Sequence, residues 1–108
     1  MVKVIIVEDH DMTRLGLSVI LSNNPNIEVL DMASDGQDGV EKSLKQNPDV
    51  VLMDMRMPDF DGAYGTRKIK DTLPDVKVLV LTTFDDKETV DRAIASGADG
   101  YILKEMDN

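Results

Sequence analysis

Short runs of consecutive apolar residues, separated by helix-like segments, constrain this chain more than any other feature. Val4-Ile5-Ile6-Val7, Val50-Val51-Leu52-Met53, Val78-Leu79-Val80-Leu81 and Tyr101-Ile102-Leu103 are too short for buried helices and leave no polar face. Such runs read as strands buried on both sides, as in parallel sheets covered by helices. A fifth run, Ile27-Glu28-Val29-Leu30-Asp31-Met32, alternates and reads as a half-exposed edge strand.

The intervening segments show i, i+3, i+4 spacing, the signature of a helix with one apolar face. Met12 to Ser22 puts Met12, Leu15 and Val19 together; Val40 pairs with Leu44, and Ile69 with Leu73. Val90, Ala93, Ile94 and Gly97 complete the set. Pro25, Pro48 and Pro74 each stand just before a strand, where proline prevents the preceding helix from continuing, and Gly97 is a favoured helix stop. Strand and helix therefore alternate from the first strand to a fifth. That order implies right-handed crossovers and an open parallel sheet, a single α/β domain over residues 1–108. Ligands of such sheets sit beyond the carboxyl ends of the strands, where the strand order reverses.

Composition removes several chemistries. There is no cysteine, so disulfides, thiolate metal sites and cysteine nucleophiles are excluded, and the lone His10 cannot build a histidine-rich centre. With 21 acidic residues against 12 basic ones, the net charge is −9, a surface that repels nucleic acid and anionic membrane. No secretory core or membrane-length apolar run is visible, so the expectation is a soluble, cytoplasmic domain.

The residues ending the strands carry the chemistry. The first strand ends in Glu8-Asp9, the third in Asp54, the fourth in Thr82-Thr83 and the fifth in Lys104. Three carboxylates at one edge repel one another, and a bound cation relieves that repulsion. An all-oxygen donor set suits a hard ion, and Mg²⁺ characteristically takes one or two carboxylates, several waters and a phosphate. A lysine and a threonine opposite the cation make a cradle for a phosphoryl group, whose transfer needs mainly positioning and charge neutralisation. A carboxylate can itself be the nucleophile.

These pieces, in this order, resemble the receiver domain of two-component response regulators, with the flavodoxin-like fold of the chemotaxis protein CheY. The resemblance rests on Val4-Ile5-Ile6-Val7-Glu8-Asp9-His10, on Val51 to Gly62, on Val80-Leu81-Thr82-Thr83-Phe84 and on Gly97 to Glu105, and it covers the whole chain. It implies a three-layer sandwich around a five-stranded sheet of order 2-1-3-4-5. Asp54 would be the phosphoacceptor. Asp9, Asp54 and the backbone carbonyl of Arg56 would bind Mg²⁺, or Mn²⁺ in its place, with Glu8 acting through a water. Thr82 and Lys104 would contact the phosphoryl group. Thr82 and Tyr101 would form the switch, and Arg56, Thr83 and Phe84 would tune how long the group survives. Thr82-Thr83-Phe84-Asp85-Asp86 and Tyr101-Ile102-Leu103-Lys104-Glu105 look most like the NarL/FixJ-type regulators, which carry a LuxR-type helix-turn-helix domain.

The implied partners are a sensor histidine kinase or a small phosphodonor, and a second copy of the chain on phosphorylation. The domain would be a switch rather than an enzyme, catalysing only its own modification. Nucleic acid would be bound by the attached domain and not by this segment. The chain departs from the family pattern twice. Glu105 stands after Lys104 where many receivers have a cis-proline, leaving that bond's isomer open. The chain also stops at Asn108, short of the usual fifth helix. Truncation, an unmapped tail, or self-association or exchange across the uncovered face is the expectation there.

Other readings are weighed against this one. An aspartyl-phosphate phosphohydrolase would carry a second aspartate two residues after the nucleophile, where Arg56 stands. A flavin-binding domain would want a hydroxyl- and glycine-rich first loop, and Glu8-Asp9-His10-Asp11 would repel its phosphate. An interaction module of the same fold that is never phosphorylated is supported only by the residue after Lys104. His10 reads as a loop residue near the site, Asp59 and Asp61 as shaping a loop, and Gly62 as supplying an unusual backbone angle. Asp85 and Asp86 read as a helix N-terminus.

Overall fold

A computed structural model of the chain describes residues 1–83 and 87–104, with Thr83 and Lys104 placed in their strands by backbone alone. The elements run β1 (Val2–Val7), α1 (Asp11–Ser22), β2 (Ile27–Ala33), α2 (Gly36–Gln46), β3 (Val50–Asp54), α3 (Gly62–Thr72), β4 (Lys77–Thr83), α4 (Lys87–Ala95) and β5 (Gly100–Lys104). All five strands are parallel, in the order β2-β1-β3-β4-β5. This is the strand order expected from the resemblance. Its reversal falls between β1 and β3, with the first crossover stepping outward to β2 and the later ones stepping the other way.

Local chemistry sets the element ends. Asp35 caps α2, its carboxylate accepting from the Asp38 amide at 2.8 Å, and Asn47 closes that helix in the left-handed conformation (φ 48°) just before Pro48. Asp61 caps α3 in the same way. Such caps satisfy amides that have no partner inside the helix. Beyond α4 the chain turns at Gly97 with φ 99°, a backbone angle that costs an L-residue and suits glycine.

The sheet separates two apolar layers. Ile5, Val7, Val51, Met53, Val78 and Val80 face one way, with Val40 of α2, Ala63 and Ile69 of α3 and Ala93 of α4 packed on them. Val4, Ile6 and Leu52 face the other way, against Leu17 and Leu21 of α1. Ile69, Leu73 and Ala93 therefore pack as their spacing predicts.

Four expectations need correction. In α1 the predicted face of Met12, Leu15 and Val19 is exposed, Met12 to 71%, and Leu17 and Leu21 make the contact with the sheet. In α2, Leu44 is exposed, and the buried positions are Gly36, Gly39 and Ser43. Small residues win there because a Cβ at Gly39 would stand 2.6 Å from a Val7 methyl; the helix lies too close to the sheet for larger side chains. Ile94 of α4 likewise points outward. Finally, Tyr101, Ile102 and Leu103 are exposed rather than buried on both sides, because β5 lies at an edge of the sheet and not inside it.

One polar group pins the end of the sheet where β4 and β5 begin. The Lys70 ammonium donates to the carbonyls of Pro74 and Val76, both at 3.0 Å, and pairs with Asp99 at 2.8 Å. Asp99 in turn accepts from the Val78 amide at 2.9 Å. Two of these acceptors lie in the α3–β4 connection and the third just before β5, so the pin joins α3, β4 and the entry to β5.

Candidate functional site

The carboxyl ends of β1 and β3 lie side by side at the reversal point, because Val7 pairs in register with Met53. Glu8, Asp9 and Asp54 follow directly, and each offers a carboxylate oxygen within 4.8 Å of the other two. Glu8 is 1% exposed and Asp54 4%, while Asp9 is exposed at the mouth. Two buried carboxylates and one open one, with oxygen as the only donor atom, match what a hard divalent cation selects.

The β1–α1 turn is held at several points. The Glu8 amide donates to the Ala33 carbonyl at 2.9 Å, and the Glu8 carboxylate accepts from the His10 amide at 3.0 Å. His10 is the N-cap of α1, its Nδ1 accepting from the Thr13 amide at 3.4 Å. Arg14 reaches back from the first turn of the helix, with Nη1 donating to the Glu8 carbonyl at 2.7 Å and Nη2 paired with Asp11.

On the other side, Asp54 pairs in register with Leu81, which puts buried Thr82 one residue beyond it at the same edge. Thr83 pairs with Lys104, so the backbone of β5 delivers Lys104 to that edge as well. The side chains of Thr83 and Lys104, and all of Phe84, Asp85, Asp86 and Glu105, lie outside the described residues. Arg56 follows two residues after Asp54 in the β3–α3 loop. Tyr101 stands opposite Val80, and Thr82 opposite Leu103, so alternation puts Tyr101 and Thr82 on one face of the sheet. The Tyr101 ring is half exposed.

The β3–α3 loop is pressed against the acceptor strand. A Cβ at Gly62 would lie 2.3 Å from the Asp54 carbonyl oxygen, so close approach is what requires glycine. The expected unusual backbone angle at Gly62 is not found; the positive φ in this loop belongs to Asp59, at 66°. Asp61 does more than shape the loop. It accepts from the Tyr64 amide at 3.0 Å and pairs with Arg92 of α4 at 2.8 Å. Partial burial pushes the Asp61 carboxyl up, but the Tyr64 amide and the Arg92 guanidinium outweigh it and hold the group below the ordinary carboxylate range. Sequence reasoning missed Arg14 and Arg92. Their only signal is place, Arg14 one turn past a helix N-cap and Arg92 one turn before a helix end.

Fold and site together define a class: doubly wound α/β domains with an acidic centre at the reversal of strand order. Residues 4–108 match the family model of the response regulator receiver domain, and the chain belongs to that family. It is 45% identical over 106 residues to the transcriptional regulatory protein LnrK of Bacillus subtilis, covering 98% of this chain and 48% of that protein. It is also 45% identical over 103 residues to the response regulator VraR of Staphylococcus epidermidis, covering 95% of this chain and 49% of that protein. Among solved structures, a LuxR-family DNA-binding response regulator of Staphylococcus aureus superposes with a TM-score of 0.89 at 28% identity, covering 99% of this chain and 89% of that one. The chain thus spans about half the length of the curated relatives it matches. The likeness to LuxR-type regulators expected from the strand-end motifs holds. Among the described residues, no helix is long and apolar enough to cross a membrane.

Proposed function

We propose that this receiver domain takes a phosphoryl group on Asp54 and uses it as a switch. The observation that carries the reading is the meeting of Glu8, Asp9 and Asp54 within 4.8 Å at the strand-order reversal of a receiver fold. A donor set of this kind fits Mg²⁺, with Mn²⁺ as a substitute: Asp9, Asp54 and the Arg56 carbonyl would hold the ion, with Glu8 acting through a water. The cation, when bound, supplies neutralisation of the charge that the phosphoryl group brings to an already acidic site.

The rest falls to the chain's own groups. A carboxylate oxygen of Asp54 attacks phosphorus as the donor's P–N or P–O bond breaks, and the imidazole or acetate leaves with the electron pair. Thr82 donates its hydroxyl hydrogen to a phosphoryl oxygen, and Lys104 pairs with another. Arg56, Thr83 and Phe84 tune the lifetime of the acyl phosphate. Tyr101, on the sheet face of Thr82, moves as that hydroxyl is drawn in, and a pre-existing equilibrium between two surfaces shifts. The donor is a sensor histidine kinase or a small acyl phosphate. The output, in a longer cytoplasmic protein, is dimerisation and transcriptional control through an attached helix-turn-helix domain.

Intact-mass spectrometry after incubation with acetyl phosphate tests the reading. The expected result is a gain of one phosphoryl group that needs Mg²⁺, is released by hydroxylamine and is lost in Asp54→Asn. Incorporation that persists in Asp54→Asn would overturn the acceptor assignment.

A further inference from the structure

We propose that Arg14 is a positioning residue for the cation site: its guanidinium hooks the Glu8 carbonyl and so sets the turn that aims Glu8 and Asp9 at Asp54. The inference rests on the proposed function, since the cation concerned is the one that function uses.

Glu8 and Asp9 sit on a short turn between β1 and α1, and the carboxylates are useful only if the peptide joining them is held in one orientation. The structure holds the near side through the Glu8 amide, which donates to Ala33 at 2.9 Å, and the Glu8 carboxylate through the His10 amide at 3.0 Å. The carbonyl side of that peptide belongs to Arg14, whose Nη1 donates to the Glu8 oxygen at 2.7 Å. Rotating this peptide plane would swing Asp9, the exposed member of the trio, away from Asp54. The arginine is itself well placed as an anchor. Its side chain is only 21% exposed, its second nitrogen is fixed by Asp11, and its amide donates to the His10 carbonyl at 2.9 Å. A hydrogen bond from a guanidinium is charge-assisted, and the planar fork serves two acceptors at once, which an ammonium does poorly.

A simple charge effect makes the opposite prediction. A fixed positive charge beside three carboxylates opposes the binding of another cation, so removing it strengthens metal binding. Loss of positioning weakens it. The sign of the change therefore decides between the two roles.

The measurement is Mn²⁺ binding to the domain, read from the electron paramagnetic resonance signal of the free ion, for the wild type, Arg14→Gln and Arg14→Lys. Melting curves accompany each protein. Arg14→Gln is expected to bind Mn²⁺ about 10-fold more weakly, the low end of effects seen when groups supporting metal ligands are removed. Arg14→Lys, which keeps the charge and loses the fork, falls between. At saturating Mn²⁺ the rate of phosphorylation by acetyl phosphate returns toward that of the wild type, because the chemistry itself is untouched. Binding by Arg14→Gln as tight as the wild type, or tighter, overturns the proposal while leaving the proposed function intact. If Arg14→Gln does not fold, Arg14→Lys decides by the same sign. Absence of Mn²⁺ binding by the wild type overturns the proposed function, and this inference with it.

Discussion

At Asp59 the backbone takes φ 66° in the loop between the acceptor aspartate and α3. Aspartate tolerates the left-handed region better than most residues, and a β-branched side chain does not. Asp59→Val is expected to cost about 1–2 kcal/mol of stability, while Asp59→Gly and Asp59→Asn stay near the wild type. Urea denaturation of the three variants is the check; a Val variant as stable as the Gly variant would remove the strain argument. Gly62, three residues on, shows where residue-level reading succeeds and where it stops. That the position needs glycine is legible in the sequence. That the need comes from the Asp54 carbonyl, and not from an unusual backbone angle, depends on how the loop folds back. The acidic trio was legible for a firmer reason: strand ends of an open parallel sheet converge, so Glu8, Asp9 and Asp54 had to meet. Arg14 had no such rule behind it, because its contact runs from a side chain to a main-chain oxygen.

Among the elements, α1 is the helix whose sequence most misled. Its larger apolar residues fall on two faces, and spacing alone does not say which one meets the sheet. In the fold it is Leu17 and Leu21 that pack on Val4, Ile6 and Leu52. The difference is measurable. Leu17→Ala is expected to cost about 2 kcal/mol, as loss of a partly buried leucine does, and Leu15→Ala under about 0.5 kcal/mol. Gly16 adds a sharper test on the same helix. A Cβ there would meet nothing within 4 Å, so no neighbour in the structure demands glycine. Gly16→Ala should therefore stabilise the domain by about 0.5–1 kcal/mol through helix propensity and a less flexible unfolded chain. A thermal melt that moves downward would contradict it. For α2 the misreading had another cause: closeness to Val7 excludes bulky residues, so the buried stripe is written in glycine and serine, which periodicity arguments discount.

For the molecule as a whole, the clearest electrostatic prediction concerns acid. Burial pushes the Asp99 carboxyl up, but the Lys70 ammonium and the Val78 amide outweigh it and hold the group below its ordinary range. Asp61 is lowered in the same sense. Both groups bind protons more weakly when the chain is folded than when it is unfolded. Their contribution is thus complete above the ordinary carboxylate value of ~3.9 and disappears as pH falls through the lower, folded value. Urea midpoints measured from pH 6 to pH 3 should fall more gently for Asp99→Asn, which is less stable at pH 6, than for the wild type. Parallel curves would show that the Lys70–Asp99 pin carries no linked proton. The overall architecture was the most legible level of all, since alternating apolar runs and helical segments admit few topologies.

The strand order carries a further consequence, one that concerns time. On one side of β1 lies β2; on the other, β3, β4 and β5 follow one another outward. A chain emerging from the ribosome can therefore lay each new strand on an edge that is already there, and no later strand has to wedge between two earlier ones. Glu8, Asp9 and Asp54 all lie in β3 or before it, so the acidic trio has been synthesised in full once β3 has emerged. The strand bearing Lys104 arrives last. The order of translation thus sets the order in which the parts of this edge become available, the three acidic residues first and the strand that carries Lys104 last.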